Sequence, residues 1–231
     1  MNFKEFLKEW STTANSIKPY LTKKGYKFLK AGVDQSAYLE PKTGKVLKIF
    51  GTQPGSNITG ETKDQQMFKY WADYCARHKS NEFLPLFDGW KSFEYDGEHY
   101  LQIRMEKLQK LPQNLADCLE KLSSNAKNNP DRKGYKKSMD AAIGQHSAEF
   151  DDDDWSDEFE MDKGPLDELN KLVILLGKKQ FDLLWKTMCD LEDIAAAKGW
   201  IFDLHGGNFM HRNDGIPVIV DPWVCRRTGR D

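Results

Sequence analysis

Two acids and an amide near the C-terminal end of the chain have the types and the spacing to do chemistry. Asp203 and Asn208 stand at the two ends of an Asp-x-x-x-x-Asn segment, and Asp221 follows the apolar run Pro217-Val218-Ile219-Val220. Phosphoryl transfer from ATP needs a carboxylate beside the acceptor hydroxyl and oxygen ligands that hold Mg²⁺ between the phosphates. A tight turn and a returning buried strand bring such residues together, so the set predicts this chemistry.

The turn itself contains His205 and two glycines, Gly206 and Gly207. Because glycine has no Cβ, the pair lets the turn run close to the phosphates. Two interpretations of His205 stay open. Its ring contacts the γ-phosphate or the substrate, or it only braces the loop.

The segment Asp203-Leu204-His205-Gly206-Gly207-Asn208 resembles the catalytic loop of the protein-kinase-like superfamily, and Asp221 resembles the metal-binding Asp of its Asp-Phe-Gly motif. A closer resemblance is to the early serine/threonine kinases of T-seven-like bacteriophages. The stretches Phe202–Asn208, Val220-Asp221-Pro222 and Ser36-Ala37-Tyr38 are similar to the loop, metal and hairpin motifs of that family.

The resemblance implies a role for each candidate residue. Lys48 contacts the α- and β-phosphates and is held by Glu61, while the backbone of Glu106 and Leu108 binds adenine. The implied nucleotide-binding residues are Gly32, Gln35, Ser36, Lys48, Glu61, Glu106 and Leu108. The implied catalytic residues are Asp203, Lys48 and His205, and the implied metal ligands are Asn208 and Asp221. The cofactors are ATP and Mg²⁺, with Mn²⁺ as an alternative metal.

By the same resemblance, the chain is a phage-encoded serine/threonine protein kinase located in the cytoplasm of the host. Its expected substrates are host proteins, among them transcription and RNA-processing enzymes, and the chain itself. Self-phosphorylation is expected on serines in mobile segments, where the candidates are Ser123, Ser124, Ser138, Ser147 and Ser156.

Two other functions stay open. A small-molecule phosphotransferase of the aminoglycoside or choline kinase type is consistent with His205 and Asn208 and with a short C-terminal lobe. A nucleotide-binding pseudokinase that sequesters a host protein is favoured by the hairpin, which keeps only Gly32 of three glycines, and by an acidic segment. The intact Lys48, Asp203, Asn208 and Asp221 count against the pseudokinase.

Charge and composition exclude several classes of protein. Lys and Arg number 34 against 36 Asp and Glu, a net charge of −2, whereas a dedicated nucleic-acid-binding domain is normally basic. No apolar run is long enough to span a bilayer, and the charged N-terminus is unlike a signal peptide. The four cysteines form no CxxC pair, which is typical of reduced thiols in the cytoplasm.

The elements that must position these residues predict an α+β chain. The resemblance implies that they form a compact, two-lobed, protein-kinase-like fold that binds ATP between its lobes. Residues 1–24 form a helical extension, which is helix-like up to about Ser16. Residues 25–108 form an N-lobe with an antiparallel sheet of about five strands and one helix, Glu61 to His78. Residues 109–231 form a reduced, mainly helical C-lobe.

Within the C-lobe, a short helix is expected over Asn114–Leu122 and two helices after Pro165. The last of these has a buried stripe that ends before Gly199. Between them, residues 123–164 are polar, basic first and then acidic over Asp151–Glu160. Such composition predicts mostly loop or disorder. The acidic run is a solvated loop or, alternatively, a docking segment for basic partners.

Overall fold

The computed structural model describes residues 17–31, 35–51, 61–128, 131–134, 136–137, 140 and 163–225. The chain is a mixed α+β protein that divides into two compact units, Met1–Leu108 and Gln109–Asp231. Each unit is described by itself below. The helical stretch expected before Ser16, the hairpin residue Gly32 and the acidic run Asp151–Glu160 lie outside the described residues.

The described part of the first unit contains two helices and five strands. In chain order these are α1 (Lys18–Lys23), β1 (Lys27–Ala31), β2 (Gln35–Leu39), β3 (Val46–Gly51), α2 (Lys63–Arg77), β4 (Phe87–Tyr95) and β5 (Glu98–Met105). All neighbouring strands are antiparallel, in the order β1-β2-β3-β5-β4, so the predicted N-terminal antiparallel sheet is confirmed.

The two faces of this sheet are covered by different elements. Side chains alternate between faces along a strand, and directly paired residues share a face. On one face a buried cluster joins the sheet to α1 and the residue before it. Its members are Ile17, Leu21, Tyr38, Leu47, Ile49 and Tyr100. On the other face the ring of Phe68, from α2, packs on Phe50 with 4.0 Å between ring centroids.

Helix α2 begins at Lys63 because Thr62 and Gln65 form a capping box. The Thr62 hydroxyl accepts from the Gln65 amide, and the Gln65 side chain accepts from the Thr62 amide. Gln65 is also buried, and its Nε2 donates to the carbonyl oxygens of Phe50 (3.2 Å) and His99 (3.4 Å). One side chain therefore starts the helix and ties it to β3 and β5.

The described part of the second unit includes three long helices and two small sheets. Its elements are β6 (Gln109–Lys110), α3 (Gln113–Asn128), α4 (Lys163–Leu176), α5 (Lys178–Lys198), β7 (Ile201–Phe202), a 3₁₀ turn (Gly206–Asn208), β8 (Phe209–His211), β9 (Pro217–Ile219) and β10 (Trp223–Val224). The predicted stripe of α5 is buried: Phe181, Leu184, Met188, Leu191 and Ala195. The helix ends at Gly199, which has a left-handed conformation with φ of 68°.

The polar segment after Leu122 is more ordered than its composition predicts. Helix α3 continues through Ser123 to Asn128, and residues 132–134, 136–137 and 140 are also helical. Arg132 pairs with Glu192 and with Asp193 of α5 (2.8 Å to the latter). The prediction of loop for the first part of this segment is therefore wrong, because its basic residues meet acids on α5.

Ser123, a candidate for self-phosphorylation, is buried on α3 with 2% of its surface exposed. A kinase cannot reach a hydroxyl in that position, so the expectation for this serine is wrong. Ser124 is exposed on the same helix, and Ser138, Ser147 and Ser156 lie outside the described residues. In the part of the chain that the structure describes, no helix combines the length and the apolar character needed to cross a membrane.

Candidate functional site

Asp203 is positioned by the buried residues on either side of it. Phe202 and Leu204 are 5% and 4% exposed, and in an extended chain their neighbour points away from the core. The Asp203 side chain is 45% exposed accordingly. The alternation of apolar and polar residues in Phe202-Asp203-Leu204-His205 thus anchors the loop and leaves its carboxylate accessible.

Backbone hydrogen bonds bring the two acids and the amide together. The Asp203 amide donates to the Pro222 carbonyl (2.9 Å), and the Val220 amide donates to the Asn208 carbonyl (2.9 Å). Val220 and Pro222 are the two neighbours of Asp221. Asp221 is therefore held between a bond to Asp203 on one side and a bond to Asn208 on the other, as the predicted returning strand requires.

The side chain of Asn208 closes the loop. Its Nδ2 donates to the backbone carbonyl of Asp203 over 2.5 Å, and its amide donates to the His205 carbonyl (2.9 Å) in the 3₁₀ turn. The first bond uses the nitrogen of the carboxamide and leaves Oδ1 to act as a ligand. Asn208 therefore fixes the position of Asp203 and presents an oxygen of its own.

The segment after Asp221 is anchored by Trp223. Its indole Nε1 donates to the Leu191 carbonyl of α5 (2.8 Å), and its ring packs against Trp200 with 5.1 Å between centroids. This role was not predicted from the sequence. The signal available was a tryptophan directly after the Asp-Pro pair, since a buried indole N–H needs an acceptor.

His205 braces the loop and also faces Asp203. Its Nδ1 accepts from the Gly207 amide (3.1 Å), while its Nε2 lies 3.9 Å from Oδ2 of Asp203. Since Nδ1 accepts a hydrogen bond, the neutral ring carries its proton on Nε2, the side of Asp203. The ring is 54% exposed, so the bracing interpretation has direct contacts, and a contact with a substrate stays a prediction.

The two glycines also have a steric reason within the chain, in addition to the one the sequence indicated. A Cβ on Gly206 would lie 3.2 Å from Cβ of Ala116 on α3, and a Cβ on Gly207 would lie 2.8 Å from Cε1 of His205. The loop therefore needs glycine to pass close to α3 and to its own histidine. Closeness to phosphate is not needed to explain them.

The donors around Asp221 fit Mg²⁺. Hard divalent cations are bound by carboxylate and carboxamide oxygens, with water or phosphate oxygens completing the shell. Asp221 supplies a carboxylate oxygen and Asn208 a carboxamide oxygen, and the Asp203 backbone is hydrogen-bonded to Pro222, the neighbour of Asp221. Among the described residues no group of three or more His, Cys, Asp or Glu side chains is arranged to hold a metal.

In the first unit, Lys48 and Gln35 lie on the same face of the sheet. Lys48 pairs with Ala37 and Gln35 with Phe50, which places all four side chains on the face that carries α2. Nζ of Lys48 is 5.9 Å from the ring centroid of Phe68, at the limit of a cation–π contact. Of the predicted nucleotide-binding residues, the structure brings these two together.

The structure does not join Glu61 to Lys48. Glu61 precedes the N-cap Thr62, so it does not project from the helix face that packs on the sheet. Its carboxylate accepts from the Ser92 hydroxyl (3.0 Å) and pairs with Lys69. The pairing implied by the kinase resemblance is therefore replaced by contacts to β4 and to the helix's own lysine.

Ser36 lies on the opposite face of the sheet from Lys48. Its side chain is buried with 1% exposed, because the alternation of β2 directs it and Tyr38 toward α1. Its side chain is therefore not brought together with Gln35 and Lys48.

The two residues expected to bind adenine through their backbone follow β5. The Glu106 amide donates to the Leu86 carbonyl (3.0 Å), and Oε1 of Glu106 accepts from the Leu86 amide (2.9 Å). Leu108 is buried, with 7% exposed. A contact between Glu106 and a base would thus fall to its carbonyl oxygen, since its amide is already used.

No protein-family model matches the chain, and no curated protein matches its sequence.

Proposed function

We propose that the chain is an ATP-dependent phosphotransferase that phosphorylates serine or threonine in proteins. The observation that carries this proposal is the arrangement of Asp203, Asn208 and Asp221, in which backbone bonds on both sides of Asp221 hold it against the two ends of the loop. Phosphoryl transfer depends mainly on positioning and charge neutralisation, and this arrangement supports both.

Each side chain of the loop has a task in the transfer. Asp203 is exposed and rigidly held, so its carboxylate orients the acceptor hydroxyl and receives its proton. Asn208 fixes Asp203 through the Nδ2 bond and offers Oδ1 to a cation. Asp221 supplies the negative oxygen of the cation site. Mg²⁺, when bound with ATP, neutralises charge on the phosphate oxygens.

The nucleotide contacts proposed for the first unit rest on Lys48 and Gln35, which share a sheet face. A kinase-like fold, a host-cell cytoplasmic location, and host proteins as substrates follow from the resemblance of Phe202–Asn208 and Val220–Pro222 to the phage kinase motifs. The Asp203 side chain is 45% exposed, which suits an acceptor hydroxyl carried by a protein.

The test is incubation of the purified chain with γ-labelled ATP, Mg²⁺ and a bacterial lysate. Labelled protein bands are expected for the unaltered chain. Asp203→Asn should reduce the label by about 10²- to 10⁴-fold, the usual contribution of a positioned acid or base. Asp96→Asn is the matched control, since this exposed turn residue has a φ of 53° that asparagine also adopts.

Other outcomes contradict the proposal. Label in a metabolite in place of protein supports a small-molecule phosphotransferase. Capture of one lysate protein without ATP consumption supports a sequestering pseudokinase. Equal labelling by the unaltered chain and by Asp203→Asn, with both folded, removes Asp203 from the mechanism.

A further inference from the structure

Helix α3 contacts the catalytic loop through three polar side chains. Oε2 of Glu120 accepts from the Gly206 amide (2.7 Å), the Ser123 hydroxyl donates to the Leu204 carbonyl (2.5 Å), and Nζ of Lys127 donates to the Phe202 carbonyl (3.3 Å). None of the three touches Asp203, Asn208 or Asp221 through its side chain. Their shared partner is the backbone of the loop.

The spacing of these contacts matches the two elements. Glu120, Ser123 and Lys127 are at positions i, i+3 and i+7, which fall on one face of a helix and span about 10 Å. Phe202, Leu204 and Gly206 are alternate residues, and five residues of extended chain span about 13 Å. The loop is extended at His205 (φ −88°, ψ 168°) and runs opposite to α3.

The loop is therefore hydrogen-bonded along both edges. The polar groups of residues 202, 204 and 206 face α3, whereas the amide and carbonyl of Asp203 bond to Pro222 and to Asn208 on the other side. In an extended chain successive residues direct their backbone groups to opposite edges, which accounts for this division. The carboxylate of Asp203 is set between two fixed edges.

The Ser123 hydroxyl has two acceptors within hydrogen-bond distance, and it lies closer to the one in the loop. Its hydroxyl has a second acceptor in its own helix, the Glu120 carbonyl at 2.9 Å, which is the usual local partner of a serine within a helix. The shorter contact, 2.5 Å, is to Leu204 of the loop. A buried hydroxyl with 2% exposure thus bonds across to the loop in preference to its own helix.

We propose that Glu120, Ser123 and Lys127 form a positioning ladder, a row of side chains that holds the loop where Asp203 and Asn208 lie next to Asp221. This inference rests on the proposed phosphoryl transfer for its effect on rate, but not for its effect on the loop. The three residues are positioning residues, since none of them has a contact with the acids or the amide that are proposed to act on ATP.

The test compares Ser123→Ala with Ser124→Ala, a change of the neighbouring exposed serine on the same helix. Hydrogen–deuterium exchange of the peptide that contains residues 204–208 should speed up about tenfold or more in Ser123→Ala and stay unchanged in Ser124→Ala. The kcat of phosphate transfer should fall about tenfold in Ser123→Ala, with the KM for ATP within twofold of the unaltered chain.

A second pair keeps the test decisive if Ser123→Ala does not fold. Glu120 is exposed, so Glu120→Leu removes the acceptor of Gly206 without leaving a cavity, whereas Glu120→Gln keeps an acceptor oxygen. Glu120→Leu should show the same faster exchange and lower kcat as Ser123→Ala. Glu120→Gln should keep loop exchange and kcat close to those of the unaltered chain.

The ladder is overturned if exchange of residues 204–208 and kcat are unchanged in the folded Glu120→Leu and Ser123→Ala variants. A purely structural role would lower the melting temperature and leave kcat and loop exchange as they are. If the unaltered chain transfers no phosphate, the exchange measurement still decides the ladder, so the two proposals fail separately.

Discussion

The loop from Phe202 to Asn208 in the second unit and the surroundings of Lys48 in the first unit are held in place in different ways. In the loop, backbone bonds to Pro222 and from Val220 fix the acids and the amide relative to one another. Around Lys48, the positions follow from strand register and helix packing, and Glu61 bonds to Ser92 and Lys69 instead of to Lys48. Backbone hydrogen bonds thus hold Asp203, Asn208 and Asp221 in the predicted arrangement, whereas the predicted pairing of the Lys48 and Glu61 side chains is not formed.

The comparison predicts its largest effect at Asp221. Asp221→Asn keeps an oxygen but removes the negative charge that a divalent cation needs. Changes to the groups that orient a metal's ligands lower activity by up to roughly 100-fold, and Asp221→Asn, which changes a ligand itself, should lower phosphate transfer by more than that. The measurement is transfer of labelled phosphate at increasing Mg²⁺, with Asp96→Asn as the control. Recovery of the full rate by Asp221→Asn at high Mg²⁺ would support metal binding by Asp221. A rate equal to that of the unaltered chain at low Mg²⁺ would contradict it.

A smaller effect should separate Lys48 from Glu61. Lys48→Met removes a charged donor to phosphate, worth roughly 1.5–3 kcal/mol, and should lower kcat/KM for ATP about ten- to a hundredfold. Glu61→Gln should lower it less than about threefold, because the carboxylate bonds to Ser92 and Lys69. Steady-state kinetics at varied ATP measure both. Equal losses would mean that Glu61 acts on Lys48 after all, and the contrast between the two regions would disappear.

The fold around Lys48 should depend on Gln65. Gln65→Leu leaves the carbonyls of Phe50 and His99 without this donor and removes half of the capping box. The free energy of unfolding should drop by about 1–3 kcal/mol. Urea denaturation followed by tryptophan fluorescence measures it. Gln66→Leu, at the exposed neighbouring position, should have little effect, and an equal loss in both variants contradicts the role assigned to Gln65.

The smallest effect concerns charges remote from both regions. Burial acts to raise the pKa of Asp182, but hydrogen bonds from Lys136 and Lys178 outweigh it, so the pKa is lowered from its ordinary value of 3.8. Stability from a carboxylate with a lowered pKa is present above the unfolded value and is lost as pH falls through the folded value. The contribution of such a partly exposed pair is below about 1 kcal/mol.

Melting temperature measured between about pH 5 and pH 2 checks this expectation. The unaltered chain should lose melting temperature below about pH 3.8, and Asp182→Asn should start lower and lose less over that interval. Phosphate transfer near neutral pH should be the same for both. Parallel melting curves would show that Asp182 contributes nothing to acid stability.

The parts that could be predicted from sequence are those with a local signal. The Asp-x-x-x-x-Asn spacing of Asp203 and Asn208 and the apolar run before Asp221 predicted the turn and its returning strand. The start of α2 also had a local signal, since Thr62-x-x-Gln65 is a capping box that places Glu61 outside the helix. This capping box indicates that Glu61 precedes the helix, whereas the kinase resemblance implies that Glu61 lies on the helix and holds Lys48.

The extension of α3 could not be predicted from composition. Ser123 and Lys127 are polar and therefore favoured a solvated segment, yet they bond to the carbonyls of Leu204 and Phe202. A buried backbone needs partners, and polar side chains on a neighbouring helix supply them here. The choice between solvent and such a partner depends on which elements pack together, which composition does not encode.

The most direct test of the central claim is paramagnetic broadening by Mn²⁺ in the presence of ATP. In an isotope-labelled chain, Mn²⁺ with ATP should selectively broaden the amide signals of residues 203–208 and 220–222. The Asp221→Asn variant should lose that broadening. If both segments keep sharp signals in the unaltered chain while ATP and Mn²⁺ are bound elsewhere, the two acids and the amide do not share a cation, and the proposed phosphoryl transfer is contradicted.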